Sequence, residues 1–172
     1  SMDAVCWVDL ASVAGADDAV HTVASAVDAA SSGAAVSAAS IAARLAKSRA
    51  LLVLDNCEHV LDACAALSAR LLAACPELRL LVTSRERLNL SAEVVWPVAP
   101  LTLPQWDAGA WQSPASAESV DLFVDRLTRR DPQRVLSADD LQTVAKICAR
   151  TDGLPLAIEL AAGQAVYLSL AE

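Results

Sequence analysis

Two hydrophobic rhythms take turns along the first part of the chain. Ala4 to Leu10 carries Val5, Trp7 and Val8 and reads as a strand. Asp17 to Ala30 has an alanine-rich face with acids near its start, the pattern of a helix. A small, polar stretch with Gly33 follows, and Ile41 and Leu45 sit at helical spacing within Ala38 to Lys47. Ala50 to Asp55 is a continuous apolar run, which suits a strand covered on both faces, as in a parallel sheet. Val60, Cys64, Leu67 and Leu71 form one stripe of a helix over Val60 to Cys75, which Pro76 ends. Leu78 to Val82 is a second buried-looking strand, and Glu93 to Val98 a shorter one containing Trp96. Strands alternating with helices predict βαβ units and a mostly parallel sheet.

The texture changes after Val98. Pro97, Pro100, Pro104, Gly109 and Pro114 punctuate the sequence in the manner of a linker. Beyond it the pattern is helical. Ser116 is placed to cap a helix with the stripe Val120, Phe123, Val124 and Leu127. Ser137 and Asp140 have the spacing of a capping box, ahead of Leu141, Val144, Ala145 and Cys148. Asp152-Gly153 stops that helix, and Pro155 suits the first position of the next. The division expected is an α/β subdomain over residues 1–98, a proline-rich linker over 99–115, and a small all-helical subdomain over 116–172. No internal repeat is visible.

Composition narrows the choice. Apolar residues make up 55% of the 172 positions but aromatics only 3%, so Leu, Val and Ala must build the core, which favours helices and a buried sheet over a β-sandwich. A net charge of −8 argues against this segment itself gripping nucleic acid phosphates. The cysteines Cys6, Cys57, Cys64, Cys75 and Cys148 are odd in number and lack a Cys-x-x-Cys pair, and no signal peptide precedes them, so a reduced, cytoplasmic setting is expected. Cys57, His59 and Cys64 match no standard zinc spacing and read as ordinary core and surface residues. The most apolar stretch, Leu154 to Ala171, contains Pro155, Glu159 and Gln164, which makes a membrane span expensive. Ser1-Met2 has the look of a cloning remnant, and the abrupt strand after it is what a fragment of a longer protein would show.

Chemistry gathers where the apolar runs end. Ligands of open parallel sheets sit beyond the carboxyl ends of the strands. Asp55 and Asn56 follow one run, and Thr83-Ser84-Arg85 follows another. A carboxylate meets Mg²⁺ through its water shell, while a guanidinium and hydroxyls meet phosphate oxygens. The same residues also suit plainer roles, with Asp55 or Asn56 capping the next helix and Arg85 simply solvated.

Three segments in order, LLVLDNCEHVLDACAALSARLLAACPELRLLVTSRERL, VVWPVAPL and GLPLAIELAA, resemble the STAND class of signal-transduction ATPases. More narrowly, the chain resembles the NB-ARC-like module of bacterial LuxR-type and SARP-type transcriptional regulators. That resemblance implies a parallel-sheet P-loop NTPase-like core followed by a helical lid. It makes Leu51 to Asp55 the Walker B strand, with Asp55 serving Mg²⁺. Arg85, after Thr83 and Ser84, becomes the sensor of the γ-phosphate. Pro155, in the run Gly153-Leu154-Pro155-Leu156, packs on the adenine ring. ATP or ADP with Mg²⁺ are the implied ligands, exchange between them moves the lid, and DNA is reached only through a domain elsewhere.

Two departures matter. Many relatives carry a second acid after the Walker B aspartate, the general base for water; here it is Asn56, which takes no proton. Glu58 is the nearby substitute. General-base help is worth about 10²–10⁴ in rate, so slow hydrolysis is expected. None of Gly15, Gly33, Gly109, Gly153 and Gly163 begins the phosphate-binding pattern G-x-x-x-x-G-K-[ST]. In the family that loop lies just before the segment matching CWVDLASV, so the core is expected to lack its first strand and to hold no nucleotide tightly. Leu78 to Val82 would then be an open edge, free to self-associate unless Glu93 to Val98 fills the gap. The competing reading is an interaction scaffold without nucleotide chemistry. A metabolic enzyme has little support, because no Ser–His–Asp order and no paired acid and base occur with only His21 and His59.

Overall fold

A computed structural model describes residues 2–30, 35–107, 109–112 and 116–167. The chain divides into two compact units, Ser1–Trp96 and Pro97–Glu172, each with its own apolar core. The fold is mixed α/β, as the alternating pattern predicts.

In the first unit, β1 (Ala4–Asp9), β2 (Ala50–Asp55) and β3 (Arg79–Val82) form a parallel sheet in the order β1-β2-β3. Three helices connect the strands: α1 (Ala16–Ala26) and α2 (Ala38–Leu45) between β1 and β2, and α3 (Leu61–Ala74) between β2 and β3. α1 ends sooner than its composition suggests, because Asp28 takes a left-handed backbone at φ 55°. α2 starts on a reciprocal box between Ser37 and Ser40. The α3 stripe of Val60, Cys64, Leu67 and Leu71 is buried as its spacing predicts. Of the loop expected over 31–40, residues 31–34 lie outside the described residues, and α2 already begins at Ala38.

The expectation that β2 is covered on both faces does not hold among the described residues. Ala50, Leu52 and Leu54 face a core shared with Val23, Ile41, Leu45, Leu67 and Leu71 of the three helices. On the other face Val5 is 65% exposed, Trp7 63% and Leu81 54%, flanking half-buried Val53. Both crossovers step across the sheet in the same direction. Crossovers of one hand then place every connecting helix on the same side.

Glu93 to Val98 is not a strand either. The Glu93 carboxylate accepts hydrogen bonds from Leu88 N (3.1 Å) and Leu90 N (3.3 Å), and its own N–H donates to Leu90 O (3.0 Å), closing a turn. Val94, Trp96 and Val98 beyond it are exposed and in no sheet. Alternation supplies β-propensity, but a strand also needs a partner ladder, and Pro97 removes a donor. β3 therefore pairs with β2 alone within its sheet.

In the second unit, α4 (Glu118–Arg130), α5 (Ala138–Arg150) and α6 (Pro155–Gln164) pack Val120, Phe123, Leu127, Val144, Cys148 and Ile158 together. The stretch expected as a linker contributes to this unit, which is therefore not all helical. β4 (Gln105–Asp107) and β5 (Ala110–Gln112) form an antiparallel hairpin with Trp106 edge-on to Trp111 at 5.0 Å. Gln142 of α5 pins it by imitating a strand: its Oε1 accepts from Trp111 N (2.8 Å) and its Nε2 donates to Trp111 O (3.0 Å). Pro114 lies outside the described residues. The N-cap of α4 is Ala117 rather than Ser116. Its first turn is tied to Thr102, whose Oγ1 accepts from Glu118 N (3.1 Å) and whose N–H donates to Glu118 Oε2 (3.1 Å). The Ser137–Asp140 capping box and Pro155 at the head of α6 form as the sequence predicts.

Candidate functional site at the strand tips

The ladder of the first unit continues past its last regular residues, and this brings the polar groups together. Asp9 and Asp55 are register partners at the ends of β1 and β2. Leu10 N donates to Asp55 O (2.9 Å), Thr83 N to Leu54 O (2.9 Å), and Cys57 N to Thr83 O (3.1 Å). Thr83 is thus held by backbone bonds on both sides, and its hydroxyl is fixed in space. That hydroxyl donates to Asp55 Oδ1 and accepts from Asn56 N at 3.1 Å.

Asn56 makes this geometry possible. Its φ of 61° lies in the left-handed region, which asparagine tolerates better than most residues. The turn sends the chain from β2 into the buried Cys57 and then the short 3₁₀ turn Glu58–Val60 ahead of α3. The Asn56 side chain donates to Asp9 Oδ1 at 3.5 Å, and that oxygen also accepts from Ala11 N at 2.9 Å. Ser84 Oγ accepts from Glu86 N at 3.1 Å, holding the turn around Arg85. Arg85 Nε donates to Glu58 Oε1 at 3.0 Å.

Asp55, Asn56, Glu58, Thr83, Ser84 and Arg85 therefore share one end of the sheet. Pro155 stands in the second unit, exposed at the head of α6. Asp9 escaped the sequence reading. The signal was present in the matching endings Val8-Asp9 and Leu54-Asp55, but only strand register turns that likeness into adjacency.

Two carboxylates and a hydroxyl supply the oxygen donors that a hard divalent cation takes. Among the described residues no group of three or more His, Cys, Asp or Glu is placed to hold a metal. A cleft of about 430 Å³ opens beside the tips, bordered by Gly15, Ala16, Glu58, Asp62 and Glu86. Its acids repel a bare phosphate, so an anion there would need a cation or added donors. Cys57 and Cys64 belong to the core under the site. Their mutual hydrogen bond, and then burial, push the Cys57 thiol up, which keeps it unreactive at neutral pH.

The fold and these tips define an α/β module whose polar chemistry sits at the carboxyl ends of a parallel sheet, with a second, mainly helical unit after it. No protein-family model matches the chain. It is similar to a Mycobacterium tuberculosis protein provisionally named an HTH-type transcriptional regulator, at 38% identity over 97% of this chain and 18% of that protein. A Mycobacterium bovis protein with the same kind of name matches to the same extent. An uncharacterized Mycobacterium tuberculosis protein is 46% identical over 72% of this chain and 28% of its own length. The chain thus spans less than a third of each of these relatives. Among the described residues no helix is long and apolar enough to cross a membrane.

Proposed function

We propose that the chain is the nucleotide-responsive module of a bacterial transcriptional regulator, in which exchange of ADP for ATP changes the state of the helical unit. The observation that carries this reading is the joined tip of β2 and β3. Asp55, Asn56 and Arg85 stand at neighbouring strand ends, and the Thr83 hydroxyl ties the first two together. Asp55 would serve Mg²⁺, Thr83 and Ser84 would shape the phosphate end, and Arg85 would meet the γ-phosphate. Pro155 would contact adenine, as the resemblance to NB-ARC-like modules suggests. Hydrolysis would be slow, because Asn56 takes no proton and Glu58 is the nearest carboxylate on that turn. DNA would be bound by another part of the longer protein.

The test is nucleotide affinity in a longer chain that carries this module together with a phosphate-binding loop. Mg²⁺-dependent ATP and ADP binding by calorimetry is expected, with Asp55→Asn removing the Mg²⁺ dependence and Pro155→Ala weakening both nucleotides. Absence of binding by the unmodified longer chain would sink the proposal.

The open sheet face favours a second reading, a scaffold that binds protein rather than nucleotide. Val5, Trp7 and Leu81 present apolar surface of the kind that marks an interaction site. Under that reading the longer chain binds no nucleotide.

A further inference from the structure

Arg85 already has a partner. Its Nε is 3.0 Å from Glu58 Oε1, and no bond from its terminal nitrogens is found among the described residues. The two members of the pair are unequal. The Glu58 side chain is 22% exposed, set in the first turn ahead of α3, where backbone N–H groups favour a negative charge. The Arg85 side chain is 84% exposed. Its backbone is fixed by the Thr83 ladder bonds before it and the Ser84 turn around it. Only the arginine side chain is free to change partner, and its terminal nitrogens already face solvent.

We infer that Glu58 is a positioning residue for Arg85: a resting counter-ion that a terminal phosphate must displace before the arginine engages it. The inference rests on the nucleotide reading above and deepens it. A lone carboxylate offers one formal charge. A terminal phosphate offers more charge and three oxygens, and a guanidinium grips such a group through two parallel bonds. ADP has no γ-phosphate to offer, so the pair persists with it. The exchange makes the site respond to the presence of the third phosphate, and it leaves the Glu58 carboxylate unpaired only in the ATP state. Because its arginine end is exposed the pair is weak, and breaking it lowers ATP affinity by about fivefold at most.

Two measurements test this. In the present chain, ¹⁵N spectra of the arginine Nε–H groups report the pair directly. E58Q should move the Arg85 resonance, assigned by its loss in R85K, and E58D should move it less. A resonance that ignores E58Q overturns the inference whatever nucleotides do, and the remaining peaks show whether the variant is folded. In the longer chain with its phosphate-binding loop, E58Q should tighten ATP by about two- to fivefold and leave ADP unchanged. E58D should restore the original ratio, and E58Q should have no effect in an R85Q background. Equal effects on ATP and ADP, or an E58Q effect that survives R85Q, overturn the inference while leaving the nucleotide reading intact. Failure of the unmodified longer chain to bind either nucleotide overturns both, with the resonance shift then marking an ordinary ion pair.

Discussion

Replacing Gly153 with alanine imposes two separate costs on the second unit. Gly153 has φ +68°, a backbone conformation that costs a residue with a Cβ about 1–2 kcal/mol. A Cβ there would also meet the Leu101 carbonyl oxygen at 2.4 Å, with the Leu101 carbon at 3.3 Å and nitrogen at 3.4 Å. These are backbone atoms, so no side chain can swing aside. Relief requires the two strands of chain to part, and Leu101 N donates to Gly153 O across them at 3.0 Å. Losing that bond adds about 0.5–1.5 kcal/mol. The combined destabilisation is about 1.5–3.5 kcal/mol. In a unit of this size that lowers Tm by roughly 10–25 °C. Gly109→Ala is the control. Its φ of +85° carries the same kind of backbone cost, but nothing lies within 4 Å of the added atom. Urea and thermal unfolding followed by circular dichroism should separate the two variants clearly. If Gly153→Ala loses no more stability than Gly109→Ala, the close approach of Leu101 is not what requires glycine there.

Ser137→Ala removes the hydroxyl of the α5 capping box and should cost about 1 kcal/mol in urea unfolding. The same box sets an acid dependence. The Ser137 hydroxyl first, then its backbone N–H and the charge of Arg134, hold the Asp140 carboxyl below its ordinary 3.8. A depressed carboxyl stabilises the fold above its unfolded pKa and stops doing so as pH falls through the folded value. Stability should therefore drop as pH is lowered below about 4, and drop less steeply in Ser137→Ala. Thr83→Val keeps the shape of the side chain but leaves Asp55 and Asn56 N without their shared partner; a loss of about 1 kcal/mol in urea is expected. The open sheet face should make the chain associate with itself as concentration rises, and Trp7→Lys or Leu81→Lys should raise the dissociation constant by about tenfold or more. Sedimentation velocity reads this directly, and a chain that stays monomeric at all concentrations would count against it.

Most of the fold was legible because its signals are local. The α3 stripe, the Ser137 box and the Pro155 start are each written within a few residues, and each forms as written. The misreadings lie where a distant partner decides. Glu93 to Val98 alternates like a strand, yet no ladder receives it, and Glu93 closes a turn instead. The proline-rich stretch reads as a linker until Gln142, 31 residues away from Trp111, gives its hairpin something to hold. Ser116 looks like a cap, but the bonds to Glu118 N and Thr102 N cross 16 residues. The apolar run Leu51 to Leu54 suggests two covered faces because both sets of side chains are hydrophobic, and sequence does not say on which side the helices will lie. At the site, the endings of β2 and β3 could be read separately. The hub role of Thr83, the adjacency of Asp9 and the pairing of Glu58 with Arg85 all depend on register.

Asn56 shows how those local and distant signals combine. From sequence it is a departure, an amide in a place where many similar modules carry an acid. In the structure it stands among carboxylates. Asp9 and Asp55 are register partners, and like charges this close cost free energy unless donors meet them. The Asn56 side-chain amide supplies one donor, to Asp9, and the Thr83 hydroxyl supplies another, to Asp55. An acid at 56 would replace a donor by a third negative charge. The amide thus gives Asp9 a donor without adding charge to the tip. Under the nucleotide reading proposed above, the loss of a proton acceptor at 56 would favour holding a bound state over turning it over.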